Sequence, residues 1–443
     1  MANATQDITS VWPIFRWANW GLSDDLFTGI QNSFYYSENL EIREDMRSIY
    51  PVAQSKLATA TNQLDSVPVK MIQWDTTDWI IFTQWKAYSY DSSTGTLTEE
   101  YTFSYEVMDA AVFGDKIFVS TKTKLYSYSY SSPDLDNPTE VCSLTSCDYH
   151  PLLPTSTVLV IWDKNKIKVI LYNALSTDID QITLASNCRV KLLDFLWWYT
   201  RIVIEKDYYR NEIWLWDNSK DAINERIPMD WYKFYQSVVY KWQHYLVSNK
   251  GLGIINWYNY YIIKRFDKFS DYKNSICVYD DKIYIWGTDG IYIYWAKNKN
   301  YSEVLALRTK TWKVWALASN YQDIFTSSSK KFWFNTNTAT TWVLQTMWYY
   351  WATLSEIKQA MYLRVWYKIP SGWYVKVWYK TDEKDWTEIT QDWWLTSTSN
   401  MRSPFATSLK LNCRFQWIQF KFELSGKDTH VYSADLFYND MLD

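Results

Sequence analysis

The sequence predicts an all-β chain: a β-propeller of about seven blades (six to seven), followed by a C-terminal β-sandwich of jelly-roll-like kind. Three observations lead there. A hairpin signature recurs, its copies are spaced by about forty residues, and the rhythm changes to longer strands near residue 351. The expected organisation is an N-terminal arm with a ring-closing strand over 1–66, the propeller over 67–350 and the sandwich over 351–443.

The hairpin is plainest in "DKIYIWGTDGIYIYW", residues 281–295. Ile283 and Ile285 alternate with Tyr284 and Trp286, then Ile291 and Ile293 with Tyr292 and Tyr294. A period of two broken by Gly and Asp is the signature of two antiparallel strands and a turn. A relative, "DKIFVSTKTKLYSYSY", spans 115–130, so the offset is 166 residues, four steps of about 41 or 42. That step falls within the period of propeller blades.

Weaker copies start at Asp78, Ser156, Asn211, Gln243 and Lys330, compatible with six or seven units. A lone hairpin cannot cover both of its faces, whereas blades packed around an axis cover them all and leave only short edges. An irregular hairpin stack, such as a β-solenoid or two sandwiches, would carry the same alternation and stays open.

The arm holds one good strand, Glu38 to Glu44, with Leu40 and Ile42 alternating with charges. It is expected to pair beside the blade near Lys330–Leu344, closing the ring without an open edge, or to pack under the first blade. Beyond Trp351, five or six strands of six to nine residues turn at Pro370-Ser371-Gly372 and Gly426-Lys427-Asp428. Strands of that length and spacing suggest a separate sandwich.

Two residue types are out of proportion. Trp occurs 29 times and Gly ten times in 443 residues, against about 7% Gly in ordinary chains. Trp17, Trp20, Trp79, Trp162, Trp257, Trp348 and Trp351 stand where turn chemistry asks for Gly. A left-handed position costs a residue with a Cβ about 1 kcal/mol or more and Gly almost nothing. The expectation is that many such positions are glycine in the source organism, which would read UGA as glycine. Trp417 is exempt, because "RFQWIQFKFEL" is a convincing strand. A truly Trp-rich protein is the other reading.

Charge and motifs exclude several function classes. Lys plus Arg is 45 against 49 for Asp plus Glu, without long blocks of one sign, so no nucleic-acid footprint is present. The start has no basic region followed by an apolar run, and no window has the eighteen or so apolar residues of a membrane span; neither secretion nor membrane insertion is expected. Cys142, Cys147, Cys188, Cys277 and Cys413 are scattered, without C-x-x-C spacing, and are read as buried free thiols.

His150, His244 and His430 are the whole histidine supply. They are read as surface or strand histidines, and no metal, cofactor or catalytic residue is assigned. Phosphate-loop, dinucleotide and nucleophile-elbow motifs are missing. Asp24 with Asp25, Asp78, or Asp280 with Asp281 are carboxylates that a propeller glycosidase could use. Adjacent strand residues point to opposite faces, however, and Asp before a strand commonly bonds the turn. Aromatic runs such as "YSYSYSS" and "WYNYYII" could stack on sugars, and equally fill the space between blades.

Taken together, "GIQNSFYYSENLEIREDMRSIYP", the "DKIYIWGTDGIYIY" blades and "CRFQWIQFKFELSGKDTHVYSADLFYND" resemble propeller-type virion proteins of tailed bacteriophages, found in the tail or neck. The resemblance covers most of the chain. It implies a non-enzymatic structural subunit of the virion, assembled in the host cytoplasm. The propeller would be a platform for other virion proteins and copies of itself, and the sandwich a docking or receptor-facing module. A phage host that reads UGA as glycine would account for the tryptophan excess. The alternative is a propeller that binds or cleaves a cell-envelope carbohydrate, with a host-surface glycan as partner. A WD-repeat scaffold fits less well, since its Gly-His and Trp-Asp dipeptides do not recur.

Overall fold

The computed structural model describes residues 10–16, 34–38, 40–42, 49–51, 53–57, 64–74, 78–91, 93–131, 134–135, 138–172, 178–196, 199–207, 210–217, 223–256, 259–265, 275–279, 282–288, 290–295, 304–309, 316–319, 324–328, 331–339, 342–346, 349–350, 357–370, 372–382, 384–389, 395–396, 405–426 and 429–440. Among them every regular element is a β-strand, and no helix is long and apolar enough to cross a membrane.

The arm contributes β1 (Ser10–Arg16), β2 (Phe34–Glu38), β3 (Leu40–Ile42), β4 (Ile49–Pro51) and β5 (Ala53–Leu57). Small antiparallel sheets then follow from consecutive strands. The first is β6 (Pro68–Gln73), β7 (Asp78–Thr83), β8 (Lys86–Asp91) and β9 (Thr96–Thr102). The second is β10 (Val107–Phe113), β11 (Lys116–Thr121) and β12 (Lys124–Ser131), edged by β13 (Asp134–Leu135) and β14 (Thr139–Ser143). The third is β15 (Leu152–Pro154), β16 (Val158–Asp163), β17 (Lys166–Leu171) and β18 (Asp178–Thr183).

The fourth sheet is β19 (Arg189–Leu196), β20 (Tyr199–Asp207), β21 (Arg210–Asp217) and β22 (Glu225–Asp230). β23 (Phe234–Tyr240), β24 (Gln243–Ser248), β25 (Gly251–Asn256) and β26 (Asn259–Lys264) form the next, and β27 (Ile276–Tyr279), β28 (Lys282–Trp286), β29 (Ile291–Trp295) and β30 (Val304–Thr309) the one after. The last of this series joins β31 (Ala316–Ser319), β32 (Ile324–Ser328) and β33 (Lys331–Ala339) to β5.

The first strands of these sheets are neighbours in chain order, β6, β10, β15, β19, β23, β27 and β31, and β31 returns to β6. A closed cycle of inner strands with antiparallel sheets radiating from it is β-propeller architecture. The second strands begin at Asp78, Lys116, Val158, Tyr199, Gln243, Lys282 and Ile324, in steps of 38 to 44 residues.

Alternation supplies the packing. In β11, Ile117 and Val119 join a cluster with Ile80 and Phe82 of the preceding sheet, while Phe118 joins Leu159, Ile161 and Ile170 of the following one. In β16 the roles repeat one sheet on: Leu159 and Ile161 face back, and Val160 and Trp162 face forward to Ile202 and Ile204. Val203 then meets Phe234, Leu246 and Ile255. β11, β16 and β20 are thus apolar on both faces, because each face meets a neighbouring sheet. At roughly 1.5–3 kcal/mol per buried large aliphatic or aromatic side chain, these inter-sheet layers are the main stabilising term.

Several sequence expectations are corrected by this topology. The stretches from Asn211 and Lys330, read as copies of the hairpin, enter the third strands of their sheets, β21 and β33, whereas those from Asp78 and Gln243 enter second strands. The second and third strands share two buried faces, so a period of two does not distinguish them. The expected closing strand over Glu38–Glu44 splits: β2 ends at Glu38 paired with β34, and β3 turns back on β4 with Leu40 opposite Pro51. The place beside β33 is taken by β5 instead. Trp79 and Trp162 occupy no glycine-type turn; both lie in strands, at 1% exposure. Trp17, Trp20, Trp257, Trp348 and Trp351 lie outside the described residues.

After the series come β34 (Trp342–Thr346), β35 (Tyr349–Tyr350), β36 (Lys358–Lys368), β37 (Tyr374–Thr381), β38 (Thr387–Glu388), β39 (Leu395–Thr396), β40 (Phe405–Phe415), β41 (Trp417–Leu424) and β42 (His430–Asp440). One sheet runs β3-β4-β42-β36-β40 with β1 on β42; the other runs β2-β34-β41-β37-β38 with β35 on β41 and β39 on β37. Ile418, Phe420, Phe422 and Leu424, every second residue of β41, share one core with Leu363 and Val365 of β36 and Leu436 of β42. The chain forms two compact units: Met1–Ser55 with Gly290–Thr311 and Asn335–Asp443, and Lys56–Asp289 with Trp312–Phe334. The expected boundary at 351 falls after β34 and β35, which both pair with β41.

Candidate functional site

The inner strands of the second unit line a cavity of about 230 Å³. It is small beside ligand pockets of roughly 300–1,000 Å³. Its polar walls come from residues whose side chains alternate off the inner strands: Lys70 on β6, Asp109 on β10, Lys191 and Asp194 on β19, and Gln236 on β23, with Tyr149 from the loop before β15. Asp109 Oδ1 lies 3.6 Å from Lys70 Nζ and accepts the Ala110 N–H at 2.9 Å. Its Oδ2 accepts the Leu152 N–H, also at 2.9 Å, which ties the second sheet to the third. Lys191 Nζ reaches the Tyr149 hydroxyl at 3.4 Å and stands 5.2 Å from that ring's centroid.

Asp194 continues the polar wall inward. Its Oδ2 is 2.7 Å from Nε2 of His244, a fully buried residue of β24 in the following sheet. Arg201 of β20 is the direct cross-strand neighbour of Asp194 and is buried at 8% exposure. Burial pulls the guanidinium below its ordinary value, and the Asp194 carboxylate opposes that. Arginine nevertheless stays charged, so Asp194 serves as counter-charge to Arg201 and acceptor for His244. Arg201 Nε and Nη1 and His244 Nδ1 have no hydrogen-bond partner among the described residues. The Asp194–His244 contact ties the fourth sheet to the one that follows it, with Arg201 as the cation beside the carboxylate.

A second polar cluster sits at the loop 144–151. His150 is fully buried, with Nδ1 2.8 Å from the Trp162 carbonyl oxygen and Nε2 3.3 Å from that of Lys122. Cys147 Sγ is 3.4 Å from Nε2 and 2.9 Å from the Tyr149 carbonyl oxygen. The Ser120 hydroxyl donates to the His150 carbonyl at 2.7 Å, and Asp163 Oδ1 accepts the Thr145 N–H at 2.6 Å.

The candidate residues of the sequence are dispersed. His150 lies in a loop and not in a strand, while His244 and His430 lie in β24 and β42. Of the cysteines only Cys188 is buried; the other four are partly exposed. Asp78 opens β7 opposite Asp91, and Asp24, Asp25, Asp280 and Asp281 lie outside the described residues. Among the described residues no group of three or more His, Cys, Asp or Glu could hold a metal ion. Tyr128 of "YSYSYSS" is buried edge-on against Phe103 at 6.0 Å, and Tyr260 of "WYNYYII" packs on Phe234 at 5.6 Å while Tyr261 faces outward.

Sequence reading missed Asp194 with His244, fifty residues apart, because only the fold unites them. Cys147-x-x-His150 was a legible spacing that passed unremarked.

No family model matches the chain, and no curated protein does. Among solved structures it is similar to virginiamycin B lyase from Staphylococcus aureus, with 12% identity over 64% of this chain and 99% of that one and a TM-score of 0.47. It is also similar to the N-terminal domain of Nup159, with 13% identity over 71% and 98% and a TM-score of 0.42. A third likeness is to the computationally designed Ika8 protein, with 9% identity over 63% and 99% and a TM-score of 0.43. Likeness of this degree assigns no activity to the chain.

Proposed function

We propose that the chain is a non-enzymatic structural subunit of a tailed-phage particle, in its tail or neck. In this reading a seven-bladed propeller, closed by β5 on the last blade, is a platform for other virion proteins and for further copies of the chain. The two C-terminal sheets form a β-sandwich that docks to a neighbour or faces the host. The observation that carries the reading is the series of inter-sheet cores. Both faces of β11, β16 and β20 are consumed inside the molecule, which leaves loops and sheet edges for contact, as suits a rigid spacer. The resemblance of the quoted stretches to phage tail and neck proteins supplies the setting. Mass spectrometry of purified particles should find the chain in fixed stoichiometry with capsid and tail proteins. Its absence from intact particles would refute the role.

The Tyr149 and Tyr235 rings with Gln236 and Asp194 at the axial cavity favour a second reading, a carbohydrate-binding propeller. A glycan array on the full chain separates the two: binding abolished by Gln236→Ala would support the second, and a blank array the first.

A further inference from the structure

We infer that Cys147 and His150 form a thiolate–imidazolium pair that makes Cys147 the preferred site of covalent thiol modification in this protein. The argument starts from His150. Both ring nitrogens face carbonyl oxygens, Nδ1 towards Trp162 and Nε2 towards Lys122, and a carbonyl oxygen only accepts, so a ring nitrogen that bonds one must carry its proton. Satisfying both requires the doubly protonated ring, whose charge, fully buried, needs a counter-charge nearby. Cys147 Sγ, 3.4 Å from Nε2, supplies it by passing to the ring the proton that it otherwise donates to the Tyr149 carbonyl oxygen at 2.9 Å.

The surrounding charges agree. Asp163, on β16, adds negative charge that favours the charged ring, and its Oδ2 pairs with Lys168 at 3.5 Å. Lys122 and Asp148 pair with each other at 3.8 Å on the exposed side. Burial alone would push the Cys147 thiol up, but the hydrogen bond and charge of His150, with backbone hydrogen bonds from Tyr149 and Lys164, bring it below the ordinary range. Burial likewise opposes charge on His150, and Cys147, the Trp162 backbone and Asp163 raise it overall. A partly exposed thiolate beside a cation is the reactive form of cysteine.

Towards a peroxide the step balances as follows. The sulfur attacks one oxygen, an S–O bond forms and the O–O bond breaks. The departing hydroxide takes the His150 proton as water; sulfur is oxidised by two electrons to the sulfenic acid and the peroxide is reduced.

The test is isotope-coded iodoacetamide labelling of the folded full chain at pH 6. Cys147 should label about tenfold or more ahead of Cys142, also partly exposed, and the advantage should vanish in urea and in His150→Gln. Hydrogen peroxide followed by a sulfenic-acid trap should mark the same residue. Equal labelling of Cys147 and Cys142 at pH 6, or a Cys147 rate that climbs about tenfold per unit from pH 6 to 8 as an ordinary thiol does, overturns the proposal. That pH profile needs no variant and decides the matter even if His150→Gln fails to fold.

Backbone geometry carries a second inference independently: positions 231 and 242 are glycine in the natively made protein, read from UGA codons. Trp231 has φ 70° and Trp242 φ 62°, in the left-handed region that disfavours any Cβ. Trp242 follows Lys241 at φ 47° in the two-residue loop between Tyr240 and Gln243. Positive φ at both central residues defines a type I′ turn, whose second position strongly prefers Gly. Neither side chain compensates by burial, for Trp231 is 64% and Trp242 75% exposed, the two highest values among the exposed large hydrophobic residues described. A bulky aromatic placed twice where glycine is easiest, in a chain with 29 Trp and ten Gly, is what a UGA codon rendered as tryptophan would produce. Codons at both positions and peptide masses from natively made protein test this; UGA with glycine masses is expected, and UGG or tryptophan masses overturn it. In recombinant protein, Trp231→Gly and Trp242→Gly should each raise the unfolding midpoint by about 2–4 °C, and a lowered midpoint counts against the inference.

Discussion

Phe118→Ala is expected to cost the second unit about 3–5 kcal/mol of stability, near the upper limit for truncating one buried aromatic. The side chain is fully buried, with its ring 6.2 Å from that of Phe113 and its cluster completed by Leu159, Ile161 and Ile170 of the next sheet. Alanine would leave a cavity between two sheets, and neighbours held by their own ladders cannot close it. Segment-resolved hydrogen exchange is the suitable probe, since a chain of two units need not unfold in one step. Protection should fall in β10–β12 and in β16–β17 together, with β36–β42 unchanged. A loss confined to β10–β12 would mean that the two sheets do not share a core.

Phe422→Ala should produce the complementary result. Phe422 is fully buried in β41, opposite Leu344 on one side and Val377 on the other, and contributes to the core that joins both C-terminal sheets. A loss of about 3–5 kcal/mol should appear across β36, β40, β41 and β42, with β10–β17 unchanged. Phe422→Leu, which keeps most of the volume, should cost less than about 1.5 kcal/mol. If the alanine and leucine variants were equally stable, the residue would not be packed as described.

Much of this architecture was legible in the residues. Ile283 and Ile285 alternate with Tyr284 and Trp286, and all four are buried; the period of two and the spacing of copies express the strand directly. The full ladder of β41 was equally visible in "WIQFKFEL". What stayed hidden was partnership over long separation. Nothing in "AQSKL" marks β5 as the strand beside β33, since an edge strand carries little pattern of its own, and Leu40 and Ile42 offered the more regular alternation. β34 and β35 read like further repeats because a strand's periodicity does not name the sheet it enters. The Asp194–His244 contact was invisible for the same reason, and His150 was misread because a buried loop histidine satisfied by backbone carbonyls leaves no periodic trace.

The pairing of β1 with β42 sets Ser10 opposite Tyr438, more than 400 residues apart in sequence. Translation proceeds at about 5–20 residues per second, so β1 waits on the order of 20–90 s for its mate to leave the ribosome. Over that interval the intermediate sheets, all but the last made from consecutive strands, can complete themselves, while the first segment stays an unpaired edge exposed to the crowded cell. Maturation of the C-terminal unit is therefore gated by the end of synthesis, and a nascent chain stalled before residue 430 should hold a finished ring with an immature partner unit.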